Sequence, residues 1–228
     1  MKTYTMLFIV ALAVLPVMGA LATPSTLVTI PSTDILPDAT WHLDVDQYFT
    51  PSSKGGQATV QDIAPGYGFA KGRAEVGLDY ISPSTGDAPL FLSAKYKLMP
   101  EKGDIPALVV GGFGFGTKSG QTDYDMLYLE GSKTLAPAAR ITLGYCHGNK
   151  SALGDDASMV MAGLDGTLDK PGKWWYGIDY ESGENAFGAL SAGIAYSITP
   201  KISYIIGWDH WNMSGMKDTV TTQLDVNF

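Results

Sequence analysis

The sequence predicts an all-β protein, a single closed antiparallel barrel of about twelve strands crossing a membrane, with short turns at one end and short loops at the other. Three observations carry this. Residues 219–228 alternate Val220, Thr222, Leu224, Val226 and Phe228 with Thr221, Gln223, Asp225 and Asn227, the period of a strand with one oily and one wet face. Segments of this kind recur along the whole chain, each close to the ~9–11 residues a tilted strand needs to cross a bilayer. Aromatic residues on the oily faces gather near the two ends of the strands.

Taken in order, residues 1–22 have the three parts of a cleaved secretory signal peptide: Lys2, an apolar stretch at 6–18, and the small-residue site Ala20-Leu21-Ala22. No cysteine follows the apolar run, which disfavours a lipid anchor. Past Met18 no run approaches the ~18 apolar residues of a spanning helix, so any crossing is made by strands. Residues 23–39, irregular and proline-rich, read as a periplasmic lead-in, and residues 40–228 as the transmembrane barrel. Strands are expected at 40–50, 59–70, 73–82, 89–99, 106–118, 122–133, 139–149, 157–168, 173–182, 188–199, 201–211 and 219–228. The count is even, as in bacterial single-chain barrels, and the connections alternate between shorter periplasmic turns and somewhat longer extracellular loops. Both termini then lie on the periplasmic side.

Alternation defines two faces, and the aromatics decide which one points outward. Trp41, Phe69, Tyr96, Trp174, Tyr196 and Phe228 sit near the turn ends of their strands, while Phe49, Tyr80, Phe115, Tyr124, Tyr145, Tyr180 and Trp208 sit near the loop ends. Aliphatic residues such as Leu43, Leu78, Leu92, Val109, Leu143 and Ile194 lie between them. Two aromatic belts around an aliphatic band match the two interfaces of a bilayer. The opposite faces carry Asp44, Asp46, Glu75, Asp79, Lys95, Lys97, Asp123, Asp125, Arg140, Asp165, Asp179, Glu181, Asp209 and Asp225, which are costly in lipid and are therefore expected to line the lumen. The sixth strand is ambiguous, because Leu127 and Leu129 share the parity of Asp123 and Asp125.

Composition narrows the function classes. The net charge of −8 argues against nucleic acid and anionic membrane surfaces as partners. The single cysteine, Cys146, cannot form an intramolecular disulfide, so the fold must stand without one. Among catalytic candidates, His147, Asn149 and Ser151 lie close together and resemble the residue set of a Ser-His-Asn lipase, but such a site needs its hydroxyl within reach of the imidazole on a rigid element, and Ser151 falls in an expected loop. Of the other two histidines, His42 and His210, His210 beside Trp211 has no partner of the right kind nearby, and no enzyme is expected. The carboxylates, Asp155 and Asp156 included, lack the spacing of a calcium loop, and no metal or cofactor is expected. The glycine-rich run 111–116 has no helix after it and is not a phosphate loop; its glycines leave room in a narrow lumen.

The stretches I-P-S-T-D-I-L-P-D-A-T-W-H-L-D (30–44), E-V-G-L-D-Y (75–80) and D-Y-E-S-G-E-N-A-F-G-A-L-S (179–191), with the closing strand that ends on Phe228, resemble small porin-like outer-membrane β-barrels of Gram-negative bacteria. The resemblance implies the outer membrane as location, its lipid and the barrel-assembly machinery as partners, and Phe228 as part of the insertion signal. The leading functional expectation is a channel for passive diffusion of small polar solutes or ions, preferring cations because the acidic excess gathers at the extracellular mouth. A non-conducting structural or interaction barrel with an ion-paired lumen is the alternative, and a lipid-modifying barrel enzyme is a third.

Overall fold

The structure is a computed structural model and describes residues 25–51, 59–83, 87–136 and 138–228. The expected signal peptide, and parts of the loops at 51–57 and 82–88, lie outside the described residues. Twelve strands form one closed barrel in which each pairs with its sequence neighbours and the first pairs with the last. They are β1 (Trp41–Phe49), β2 (Val60–Phe69), β3 (Ala74–Ser82), β4 (Leu90–Met99), β5 (Ala107–Gly116), β6 (Asp123–Ala136), β7 (Ala139–His147), β8 (Ser158–Thr167), β9 (Trp174–Glu181), β10 (Ala189–Thr199), β11 (Ile202–Trp211) and β12 (Thr219–Asn227). One short helix, α1 (Lys150–Leu153), lies between β7 and β8. β1 and β12 run antiparallel in register from His42↔Asn227 to Phe49↔Val220, and the Phe228 N–H donates to the Trp41 carbonyl at 2.8 Å. Closure leaves no edge strand with unpaired backbone, which hydrocarbon would not tolerate.

The wall is one residue thick, so parity decides inside from outside. Val76, Leu78, Leu92, Leu143, Ile194 and Ile206 are exposed on the outside, with Trp41, Phe69, Tyr96, Trp174, Tyr196 and Phe228 toward the turn end and Tyr80, Tyr145, Tyr180 and Trp208 toward the loop end. An apolar surface of this extent is foreign to a soluble protein and suits the lipid face of a transmembrane barrel.

Strands β5 and β6 depart from simple alternation. Gly114 takes φ +69° and inserts a bulge between Phe113 and Phe115, so these two residues face opposite sides despite sharing parity. Val109, expected in the aliphatic band, is therefore fully buried inside, while Phe115 stands outside opposite the exposed Leu92. In β6 the leucines win the conflict: Leu127 and Leu129 are exposed outside, and Met126, Tyr128, Glu130 and Ser132 point inward. Tyr124 shares the inward parity, stacking on Phe91 at 5.9 Å and meeting Phe187 edge-on at 5.0 Å, so it is not part of an outer belt.

The segment expected as a lead-in outside the barrel folds back into it. Leu27, Val28, Ile30 and Leu36 are all but completely buried, packed within the wall. Residues 25–32 form a tight loop closed by the Leu27 N–H to the Ile30 carbonyl at 2.8 Å and the Ser32 N–H to the Ser25 carbonyl at 3.1 Å. Gly68 allows the segment to pass, since a Cβ there would lie 2.2 Å from the Pro37 carbonyl oxygen. The glycine-rich run leaves room as expected, but the room is filled: a Cβ on Gly111 would strike the Tyr128 ring.

At the turn end, the Lys133 Nζ donates to Glu101 Oε1 at 2.6 Å, and the Thr134 N–H and hydroxyl donate to the same carboxylate at 3.0 and 2.9 Å. These bonds, that of Lys133 first, hold the Glu101 carboxyl below the usual carboxylate range. The clasp is thus intact at neutral pH and is lost as the pH falls through the lowered pKa.

Arginine at Leu78 or Ile194, which are 37% and 46% exposed on the outer wall, should cost about 2–4 kcal/mol near the bilayer midplane and reduce the heat-modifiable, folded fraction. Ala64→Arg, directed into the interior cavity, should fold more readily, and equal tolerance of all three would contradict the inside-outside assignment.

Candidate functional site

The interior has two unlike sides. Between β5 and β11 the inner wall carries an apolar cluster: Val109, Met126, Tyr128, Met159, Met161, Trp175, Ala195 and Ile205 pack with Leu27, Val28 and Ile30 of the internal segment. A wholly polar lumen, the expectation from alternation, is not what this half contains. The segment's polar atoms are met one by one. At its tip the Val28 and Thr29 N–H groups donate to Asp179 Oδ2 at 2.6 and 3.0 Å, and the Thr29 hydroxyl donates to Asp179 Oδ1 at 2.8 Å. Gln223 Nε2 donates to the Val28 carbonyl at 2.9 Å. Nearer the turn end, Lys95 Nζ donates to the carbonyls of Ser25, Ser32 and Asp34 at 2.9, 2.9 and 3.0 Å. Glu75, opposite Lys95 in register and 3.4 Å from it, accepts from the Ser25 hydroxyl and the Leu36 N–H. Arg140 bridges Asp34 of the segment at 2.8 Å and Asp165 of the wall at 2.9 Å.

The other side, along β1 to β4, is left open by the segment and forms a cavity of about 490 Å³. Its described lining carries the carboxylates of Asp44, Asp46, Asp62, Asp79, Glu75 and Glu181 and, among Lys and Arg, only Lys95. Asp46 stands directly opposite Asp62 across β1–β2, and Asp44 directly opposite Asp225 across the β1–β12 seam. Two carboxylates so placed repel each other whenever both are ionised. Each of Asp44, Asp46, Asp62 and Asp225 keeps one buried oxygen with no hydrogen-bond partner. The cavity extends from His42 and Gly66 in the lower barrel to Val60, Pro83, Trp211 and Met216 near the loop end.

The structure thus sorts the residues expected in the lumen into groups. Glu75, Lys95, Arg140, Asp165 and Asp179 serve the segment and its anchors, and Asp44, Asp46 and Asp79 face the cavity. Glu181, buried, accepts from the Cys146 thiol at 3.1 Å; Asp209 and Asp225, also buried, accept from the hydroxyls of Thr219 and Ser203. Lys97 is half-buried. Asp123 and Asp125 do not belong with them: Asp125 is exposed, with φ +46°, and Asp123 ties down the rim by accepting from the Gly120 N–H at 2.6 Å and Asn149 Nδ2 at 3.0 Å. At the rim the outer face meets water or headgroups, so a carboxylate there escapes the cost of hydrocarbon. Asp62, Glu130 and His42 are interior groups that the sequence reading missed. His42 and Glu130 share the parity of Asp44 and Tyr128, which was the available signal.

The enzyme candidates do not assemble. Ser151 lies in α1, where its hydroxyl donates to Asn149 Oδ1 at 2.8 Å, while His147 pairs with the Ser158 hydroxyl at 2.8 Å on the exposed wall. His210, which the sequence left without a partner, pairs through Nδ1 with Asp218 Oδ1 at 2.8 Å on the exposed surface.

The sequence matches no protein-family model and no curated protein sequence. Solved structures do share the fold. The chain is similar to a KdgM porin, with a TM-score of 0.57 at 12% identity over 82% of this chain and 98% of that one. The same porin in complex with disordered oligogalacturonate gives 0.56 at 10% identity, over 82% and 98% of the two chains. A NanC porin gives 0.54 at 13% identity with the same coverage. At these identities the likeness concerns the fold, a closed barrel of porin type.

Asp179→Ala should free the segment, because it strands buried donors that each cost about 1–3 kcal/mol when unmet. Hydrogen exchange of the Val28 and Thr29 amides should accelerate strongly while the β9 ladder stays protected, and unchanged exchange at the tip would show that Asp179 is not the anchor.

Proposed function

We propose that the chain is a narrow outer-membrane channel for small polar solutes or ions, preferring cations, with residues 25–36 restricting its bore. The observation that carries this reading is the cavity beside the segment, whose described lining sets six carboxylates against one lysine. Carboxylates facing a confined aqueous path raise the local cation concentration and repel anions. The porin fold and the apolar outer wall support the outer membrane as location and its lipid as surroundings. Export by a signal peptide at 1–22, and Phe228 as part of the signal read by the assembly machinery, complete the proposal. An oligogalacturonate, the ligand named for the KdgM complex, is a string of carboxylates and would meet like charge here; a cation or neutral polar solute suits this lining better.

The many anchors of the segment favour a second reading, a barrel closed at rest that conducts only when the segment is displaced. Planar-bilayer recording of the refolded mature chain separates the two. A cation-selective reversal potential in a KCl gradient is expected, moving toward zero when Asp46, Asp62 and Asp79 become Asn together. Selectivity should also shrink with salt, as the screening length falls from roughly 10 Å at 0.1 M to roughly 3 Å at 1 M. Conduction only after Asp179→Ala or removal of residues 25–36 would establish the second reading. Anion selectivity would overturn the cation preference, and silence in every form would overturn the channel.

A further inference from the structure

Where the first strand meets the last, three inward side chains converge, and none of the atoms they turn toward one another has a hydrogen-bond partner. His42 and Asp44 stand on β1, Asp225 stands on β12 directly opposite Asp44, and one donor atom from each residue lies within 4.8 Å of the other two. His42 is 4% exposed and Asp225 1%. His42 Nε2, Asp44 Oδ1 and Asp225 Oδ1 are all buried without a hydrogen-bond partner. The imidazole is held in one sense: Nδ1 lies 3.1 Å from Asn227 Oδ1, an amide oxygen that only accepts, so the neutral ring carries its proton on Nδ1. The lone pair of Nε2 is then directed at Asp225 Oδ1, 3.6 Å away, which is also an acceptor. The Ser203 hydroxyl donates to Asp225 Oδ2 at 3.1 Å and orients that carboxylate from behind. Three electron-pair donors, with an outer layer that fixes tautomer and orientation, match the arrangement found around protein-bound metal ions.

We propose that His42, Asp44 and Asp225 bind one divalent transition-metal ion of the zinc class, pinning the barrel seam. Bonds of about 2.0–2.2 Å place tetrahedral ligands roughly 3.3–3.6 Å apart, the separation of His42 Nε2 from Asp225 Oδ1. An imidazole beside two carboxylates suits Zn²⁺, Ni²⁺ or Co²⁺ better than Ca²⁺, which takes six to eight oxygens. His42 and Asp44 also line the cavity, so water can reach the ion and fill the remaining coordination positions. The ion offsets the repulsion between the facing aspartates, and because both strands must be in place to form the site, binding favours the closed barrel. None of this depends on whether the barrel conducts.

The test uses the whole mature chain refolded in detergent, stripped with a chelator and titrated with Co²⁺ by visible absorption and with Zn²⁺ by calorimetry. One equivalent of each metal is expected, with a Co²⁺ spectrum of mixed nitrogen and oxygen ligation and a rise in the temperature at which the barrel loses its folded gel mobility. His42→Gln, Asp44→Asn and Asp225→Asn should each abolish stoichiometric uptake. Asn227→Ala, which keeps all three ligands, should weaken uptake by about tenfold or more. Asp62→Asn, an acidic neighbour in the same cavity, should leave it unchanged. Gel mobility reports folding of each variant, and if His42→Gln does not fold, Asn227→Ala and Asp44→Asn decide. Absence of stoichiometric uptake, as when a proton shared among the three groups satisfies them, overturns the proposal. So does uptake that is indifferent to these substitutions.

Discussion

The pairing of β1 with β12 is the constraint on which the rest of the molecule depends. With the ladder from His42↔Asn227 to Phe49↔Val220 in place, every wall strand has two neighbours and the sheet has an inside and an outside. Parity then assigns each side chain to lipid or interior, and a slip of one residue at the seam would turn the slipped strand's lipid-facing set inward and its inward set toward lipid. The exposed belt of leucines, valines and aromatics is stable only because that register holds.

Closure also creates a problem of volume. About eight strands give an interior that wall side chains just fill, so a twelve-stranded wall leaves space for water or for another piece of chain. Here a piece of chain takes one part and a cavity is left beside it. Leu27, Val28 and Ile30 complete an apolar core against β5 to β11, while β1 to β4 keep an acid-lined cavity. Segment and cavity are not independent, because Glu75 and Lys95 hold the segment and line the cavity too. A shift of the segment therefore changes the width and the charge of the open side together.

The anchoring of the segment follows from the cost of burying its backbone. An irregular stretch inside a barrel has no ladder of its own, and its N–H and C=O groups must find partners on the wall. Asp179 gathers the donors at the tip, and the ammonium of Lys95 gathers three carbonyls near the turn end. Each charged group thus neutralises several peptide dipoles at once, and the segment is held at two points along its length by opposite signs.

The sequence alone determined the wall, because a strand in contact with lipid on one side must alternate, and alternation is visible one residue at a time. Trp41, Leu78 and Ile194 declared their side in this way, and so did the closing strand 219–228. What fills the interior was not legible. Residues 25–36 have no period, since an irregular segment obeys no repeating geometry, and nothing local in Leu27 or Ile30 reveals that they share a core with Met161 and Ile205. The bulge at Gly114 reversed Phe115 relative to Val109, a change of register that a single strand cannot announce because it exists only against its neighbour. The charged residues were legible as inward, but their roles were not. Asp179 as an anchor, Asp46 as cavity lining and Asp225 beside His42 differ only in what stands across the barrel or across the seam from each, and those distances belong to the tertiary structure.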